Sequence, residues 1–586
     1  MPKLTRIART DQIPEGNVLK VSVSDIDLTL VNTGGSICLF QGNCPHQGTS
    51  LSMASLSNGI LTCAAHGWGF HCPSGVHVEN PNVGLQTFAV TISDGYVLVD
   101  ENQISAWKAK QSSPSGPTKE LRSKTISTLP GPKTLPWIGN FHQWSSKRPH
   151  SLLDEWCDQY GPIYTFRLFE KTFVVVGRAD LITQVLRDRP GIFRRMGTVE
   201  TVFAELGTHG LFSAEGDNWR RHRLLTMPAF NSSHLQDFFG TLRTVTHRLC
   251  KRWGERAGQS ADVEVQKDLV RFTVDVTTNL AFGYDMNTTE KGEDVIQQHL
   301  DEIFPVMGRR IVAPFPYWRY FKLPRDRKID RALLEIRKSV DSFVLSAREK
   351  MRLDPQLHHR PSNFLEGLLA QTENETSPLT DDELVGNILT ILLAGEDTTA
   401  NSLAWMMHFI AEYPEVQKKM QAEADNILGE AKAPETYQDI ERLSYTEAVA
   451  MEALRLRPVA PFLILEATQA TKIDGVSIPK GTQVAVLTGY CGVQDVNFGS
   501  GKQFIPERWL PSRASSIVHN PKAFLAFGEG PRFCPGRNLA ITEMKTIGAM
   551  LSRNFNLTKP SNGKVPRQVY HFVVKPEDLW LHIDRR

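Results

Sequence analysis

Residues 44 to 66 read CPHQGTSLSMASLSNGILTCAAH, which sets Cys44 and His46 two apart and Cys63 and His66 three apart, with Gly48 and Gly67 closing the two pairs. Four soft ligands so close together hold metal, and a metal constrains a fold more tightly than any apolar pattern can. Zinc is the plainer reading of two Cys and two His. Zinc fingers, however, keep both Cys in one short loop and both His in another. Here each loop carries one of each, an interleaving that suits a 2Fe-2S cluster with two thiolates on one iron and two imidazoles on the other.

From residue 18 to about 100 the surrounding chain is a series of short period-two runs, VLKVSV, IDLTLV, SICLF, TFAVTI and YVLV, separated by Gly, Asn, Asp and Pro. This predicts a small all-β domain. The stretches CPHQG, CAAHGWGF and HCPSG resemble the Rieske ferredoxin family, over about residues 1 to 104. The resemblance implies a Rieske 2Fe-2S cluster held by Cys44, His46, Cys63 and His66, with Gly48 and Gly67 letting backbone amides approach its sulfurs. Ala64 and Ala65 stand where the family usually shows Pro and Trp, a departure that weakens packing but removes no ligand. Cys38 and Cys72 read as ordinary buried thiols.

A chain of 586 residues exceeds what one core supports, so a second domain is expected. KAKQSSPSGPTKELRSKT loses periodicity and gathers Ser, Pro, Gly and Lys, the composition of a connector, and the linker is placed at residues 105 to 127. Residues 128 to 586 then show mostly helical spacing with a few strands such as TFVVVG. A net charge of +2 over 66 basic and 64 acidic residues provides no field for nucleic acid or an anionic membrane. The longest apolar run, NILTILLAG, is too short to span a bilayer, and the first residues hold no signal peptide. Eight sparse cysteines fit a reducing compartment, and the expected location is cytoplasmic.

Near the C-terminus FGEGPRFCPG surrounds Cys534 with Gly528, Gly530 and Gly536, and NLAITEMKTIGAML after it is helical in period. Those glycines permit a tight turn and close backbone approach, and the helix N-terminus favours a thiolate. This pattern resembles the cytochrome P-450 family, over about residues 128 to 586. The resemblance implies a mainly α fold with minor β, a heme b ligated by Cys534, and cofactor contacts from Phe527, Arg532 and Gly536. In AGEDTT it makes Asp397 and Thr398 the proton-delivering pair. The Thr398 hydroxyl is expected to reach the carbonyl of Ala394 and open the helix locally, and Gly395 to leave room for dioxygen. In MEALRLRP, Glu452 and Arg455 share a helix face and are closed by Arg508 of FIPERW in a structural role. In WRRHR, Trp219 and Arg223 resemble haem-propionate contacts, with Arg532 as a second cation; Arg220 and Arg221 read equally as a solvated face. Leu465 stands where the family often has another propionate-binding Arg.

No downstream pair of close His with an acidic partner supplies a non-haem iron site, so the Rieske domain is expected to carry electrons to the haem. No GxGxxG or GxxxxGK[ST] opens a helix after a strand, so reducing equivalents are expected from an external NAD(P)H-dependent flavin ferredoxin reductase. The resulting expectation is a monooxygenase that uses O2 on a hydrophobic small molecule. The alternatives are a haem-thiolate isomerase or dehydratase needing no external electrons, and a redox or gas sensor. The intact Asp397 and Thr398 and the attached cluster argue against the isomerase or dehydratase.

Overall fold

The computed structural model covers the whole chain and describes every residue except 1–2, 25, 46–49, 58, 64–67, 79–83, 112–123, 231, 258–261, 293–302, 304, 312, 314, 374–378, 512–517 and 562. Two compact units divide it: Met1–Lys124 with Leu186–Arg189 and Glu529–Pro535, and the remainder.

The N-terminal unit is β-rich. Strands β1 (Leu4–Arg9), β2 (Val18–Val23), β3 (Ile26–Thr33), β4 (Ser36–Gln41), β5 (Ser55–Ser57), β6 (Ile60–Thr62), β7 (Gly69–His71), β8 (Thr87–Phe88), β9 (Val90–Ser93) and β10 (Tyr96–Asp100) form three sheets, ordered β1-β10-β9, β2-β3-β4-β8 and β5-β6-β7. Alternation explains the longer strands: in β10, Val97 and Val99 are buried while their neighbours are partly exposed. The run TFAVTI is two strands, with Thr87–Phe88 pairing on β4 and Val90–Ser93 on β10. Helix α1 (Glu101–Gln111) follows; its Ile104 is buried in the sheet core and its Trp107 packs edge-on against Phe88 at 5.4 Å. The apolar core therefore runs past residue 104.

The larger unit is mainly helical. Its principal sheet is ordered Ile163–Leu168, Lys171–Val176, Gln483–Val486, Leu463–Ala467, Phe193–Arg195, with the second and third strands parallel. The helices that matter below are α2 (Pro149–Tyr160), α3 (Gly216–Thr226), α4 (Val265–Phe282), α5 (Asp381–Glu412), α6 (Ser444–Leu456) and α7 (Arg537–Asn554). Helix α5 starts at a capping box, in which Thr380 and Glu383 bond each other's backbone N–H, and Asp381, Asp382 and Glu383 complement its dipole. Its first half, Leu384 to Leu393, is buried in one apolar cluster with α4 and the Val202–Leu206 segment; its second half, Ala400 to Ala411, lies in another with α6 and α7. No helix among the described residues is long and apolar enough to cross a membrane.

Candidate functional site

In the N-terminal unit Cys44 and Cys63 each open a loop closed by strand pairing. An Asn43–Ser50 bridge closes the loop that begins at Cys44, and the Thr62–Gly69 rung with a 2.9 Å bond from Cys63 N–H to Trp68 O closes the one that begins at Cys63. Each thiol is 1% exposed, and both belong to one apolar cluster with Val31, Phe40, Leu51, Leu61 and Phe70. Two thiols from separate hairpins converging in one dry cluster fit the thiolate half of a 2Fe-2S site. His46, His66, Gly48 and Gly67 lie outside the described residues, so the imidazole half is not described. Among the described residues no group of three or more metal-binding side chains is assembled. Cys38 is buried in the same cluster and Cys72 packs against it; both are free thiols. Burial pushes the Cys72 thiol up to about 11, which keeps it protonated and inert.

The second cysteine loop is shaped by glycine. Gly528 has φ +75° and Gly530 φ +72°, and a Cβ on Gly530 would lie 2.7 Å from the Leu186 carbonyl oxygen, so Gly530 is required for conformation and for space. Arg187 bonds the Glu529 carboxylate at 3.1 and 2.9 Å and pins the loop. A single 3-10 turn, Gly530–Arg532, leads to Cys534, which is partly exposed, and Gly536 is the N-cap of α7 with an ordinary φ of −80°. Phe527 packs on the larger core, and the Arg537 guanidinium lies 5.8 Å from its ring centre. A half-buried thiol two residues ahead of the N-cap of an 18-residue helix has the chemistry of a thiolate ligand.

Between Leu384 and Met407, helix α5 is buried everywhere except at one turn, where Ala394 is exposed and Gly395, Asp397 and Thr398 are partly exposed. The Thr398 hydroxyl donates to the Ala394 carbonyl at 2.5 Å, as the sequence predicts. Ser402 repeats the device, bonding Thr398 O at 2.7 Å. Such back-bonding takes carbonyls from the helix ladder and loosens it locally. Gly395 does something other than expected. A Cβ there would lie 2.9 Å from Thr277 Oγ1 and 3.0 Å from its Cγ2, so the missing side chain admits the neighbouring helix α4.

Trp219 and Arg223 fall on one buried face of α3, at 6% and 8% exposure, with Leu211 and Ala214 packed on the indole. Between them His222, fully buried, was not singled out from the sequence. Its Nδ1 lies 3.2 Å from Asn387 Oδ1 and its Nε2 3.4 Å from Glu383 Oε1, both on α5. Arg221 pairs with the same Glu383, and Asn387 Oδ1 accepts from Leu211 N–H at 2.9 Å. Burial lowers the His222 pKa against the pull of Glu383, so the ring is neutral and acts as a tie rather than a charge. This tie fastens the helix of Trp219 and Arg223 to the helix of Asp397 and Thr398. Arg220 bonds Asp217 at 2.6 Å on the solvent face.

The Glu452–Arg455–Arg508 group closes as predicted. Arg455 gives two bonds to Glu452 and three to the carbonyls of Gly492, Gly501 and Gln503, while Arg508 Nε, Trp509 Nε1 and Ile505 N–H also donate to Glu452. Every lone pair of the buried carboxylate is used, which is what lets these charges stay in a dry core.

Two family profiles match the chain: a Rieske [2Fe-2S] domain over residues 3–89 and cytochrome P-450 over residues 129–582. Among curated proteins, a cyclooctat-9-en-7-ol 5-monooxygenase from Streptomyces melanosporofaciens is 28% identical over 74% of this chain and 90% of its own length. The sheep steroid 17-alpha-hydroxylase/17,20 lyase is 27% identical over 77% of this chain and 89% of its own. The LUTEIN DEFICIENT 5 protein of Arabidopsis thaliana, a chloroplastic protein, is 27% identical over 68% of this chain and 67% of its own.

Proposed function

Since this chain belongs to the cytochrome P-450 family and carries a Rieske [2Fe-2S] domain ahead of it, we propose an assignment of its residues to the steps of a haem-thiolate monooxygenase. The family-level function is oxygen insertion at a thiolate-ligated haem, with electrons relayed through the 2Fe-2S domain. Cys534 would hold the haem iron, and thiolate ligation supplies electron density that favours O–O cleavage. Arg532, Arg223 and Trp219 would bind the haem carboxylates. Phe527 and Gly536 would line the cofactor side of the same loop.

The observation that carries this reading is the single open turn in a helix otherwise buried over twenty residues. An acid and an alcohol stand side by side at that turn, the part of the helix open to a small molecule and to water. Thr398, bonded to Ala394 O, would position water, and Asp397 would pass protons through it. Val202, Phe203, Leu206 and Ile388 to Leu393 share one apolar cluster, consistent with a hydrophobic substrate. Two relatives are named for acting on a steroid and on cyclooctat-9-en-7-ol, both apolar.

In the N-terminal unit Cys44 and Cys63 would hold one iron, with His46 and His66 completing the set. We place the Rieske domain at residues 1–104, with helix α1 carrying its core packing on into the linker at 105–127, and the haem domain at 128–586, with electrons from an external NAD(P)H-dependent flavin reductase in the cytoplasm. Rieske centres lie at roughly −150 to +300 mV, so this one is expected at the low end of that range. The test is substrate-stimulated NAD(P)H oxidation with a generic ferredoxin reductase, coupled to oxygenated product. Consumption without dependence on substrate, or product formed without reductant, would overturn the reading.

A further inference from the structure

Near its start, α5 is met by two other segments of the larger unit. The 209–210 backbone crosses it with no room for a side chain on either side: a Cβ on Gly386 would fall on the His209 carbonyl oxygen, and one on Gly210 would lie 2.5 Å from that of Gly386. Beside the crossing, the Leu211 N–H donates to Asn387 Oδ1 at 2.9 Å, and Leu211 and Ala214 are the residues packed on the Trp219 indole. His222 arrives from α3, on the buried face it shares with Trp219 and Arg223. It is 0% exposed, and Asn387 is 1% exposed.

One donor in this group cannot be reversed, and it fixes all the others. A backbone N–H only donates, so the Asn387 oxygen faces Leu211 and the amide nitrogen has two hydrogens to place. One goes to the Glu383 carbonyl at 2.8 Å and the other to His222 Nδ1 at 3.1 Å. Nδ1 is therefore the bare nitrogen, and Nε2 carries the proton toward the Glu383 carboxylate 3.4 Å away. The opposite tautomer would set a lone pair against that carboxylate. Burial opposes ionisation of Glu383, but the Thr380 N–H at 2.9 Å, His222 and Arg221 outweigh it and hold the carboxyl below its usual range.

We propose that His222 and Asn387 are positioning residues for the haem: the chain Leu211–Asn387–His222–Glu383 holds Trp219 and Arg223 in the register that meets the haem carboxylates, which rests on the assignment of those two residues to the cofactor. A tryptophan and an arginine can aim at a fixed group only if the helix that carries them is itself fixed, since a long side chain left to itself samples many rotamers. Apolar packing sets how deep a helix lies, yet it tolerates sliding and rotation. A buried chain in which every donor and acceptor is used accepts one register, because any slip leaves a polar atom unpaired in a dry place. The chain fastens both supports of Trp219 to α5, its own helix through His222 and the loop packed on its indole through Leu211.

The test is the rate of haem loss from the full-length protein to excess apomyoglobin, with the haem midpoint potential as a second readout. His222→Phe is expected to speed the loss about tenfold and to lower the potential, because haem carboxylates without their cation favour ferric iron. Asn387→Asp is milder and decides the matter if His222→Phe does not fold. It keeps an acceptor for Leu211 but sets a carboxylate against Nδ1, so the chain closes only while His222 is protonated on both nitrogens. Of the groups facing the ring, Glu383 and the new carboxylate favour that cation and Arg221 opposes it, with the His209 ring centre 6.4 Å off. Haem loss from Asn387→Asp should therefore match the parent near about pH 6 and run about tenfold faster near about pH 8, while the parent stays flat. A rate unmoved at the higher pH, or one without pH dependence in this variant, overturns the proposal. Arg223→Leu separates the two layers: if it speeds haem loss the proposal alone falls, and if it does not the carboxylate assignment falls with it.

Discussion

Arg455 donates two hydrogen bonds, of 2.8 and 2.6 Å, to Glu452 three residues before it on α6, with both side chains at 0% exposure. The pair is a hub: Glu452 also receives Arg508, Trp509 and a backbone N–H, and Arg455 ties down three carbonyls of the 492–503 loop. Glu452→Gln or Arg455→Met leaves an opposite charge buried and unmatched, which costs roughly 3–5 kcal/mol. Urea titration of the purified variants checks this, with haem content as a second readout. A loss under about 1 kcal/mol would show the hub to be dispensable.

Thr398→Ala removes the hydroxyl bound to Ala394 O, and Asp397→Asn removes the neighbouring acid. Each is expected to lower product formation by about a hundredfold, the usual size of a positioned proton donor. In Thr398→Ala, NAD(P)H consumption should persist with its electrons recovered as hydrogen peroxide. Product and peroxide yields per NAD(P)H give the measurement, and full coupling in both variants would remove the proton-delivery role.

Cys44→Ser or Cys63→Ser should abolish the paramagnetic signal of the reduced cluster and NAD(P)H-driven turnover, while leaving the carbon monoxide spectrum of thiolate-ligated haem intact. Cys534→Ser should do the reverse at the haem and leave the cluster signal unchanged. If Cys44→Ser retained reductase-driven turnover, electrons would not be passing through the N-terminal unit.

Gly395→Ala sets a methyl group 2.9 Å from Thr277 Oγ1 and is expected to cost about 1–3 kcal/mol by overpacking. Thr277→Ala should restore most of that loss in the double variant. A double variant no more stable than Gly395→Ala would mean the glycine is needed for another reason.

Glu543 on α7 is 2% exposed with Oε2 unpartnered, and burial raises its carboxyl to about 8. Its folded pKa exceeds the unfolded one, so its contribution to stability is full below about pH 4.5 and is lost as pH rises through about 8. Glu543→Gln should therefore gain stability relative to the parent as pH rises from 5 to 8. Parallel stability curves across that range would place an ionised, compensated carboxylate there instead.

The legibility of the fold followed the length of its repeating patterns. VLKVSV is the strand Val18–Val23, and the apolar run around AGEDTT lies within the helix Asp381–Glu412, because periods of 2 and 3.6 repeat often enough there to be seen. The three-residue strands β5, β6 and β7, which hold the Cys63 hairpin, are not legible in the sequence, since no period shows in three residues. Nor could alternation reveal that TFAVTI changes sheets at Ala89. His222 carries no signal in the sequence, because its partners Glu383 and Asn387 are more than 160 residues away.

The sequence by itself determined the chemistry: which side chains are soft ligands, which acid stands beside which alcohol, and which cysteine is flanked by glycines. Those are properties of covalent order, readable wherever spacing along one turn or loop is the only geometry involved. Tertiary structure alone decided where empty space and unmatched charge fall. It spent the gap beside Gly395 on Thr277, gave Arg455 five hydrogen bonds to four residues, and left Glu543 Oε2 buried without a partner among the described residues. Contacts between distant segments depend on how whole helices pack, and no local pattern records that.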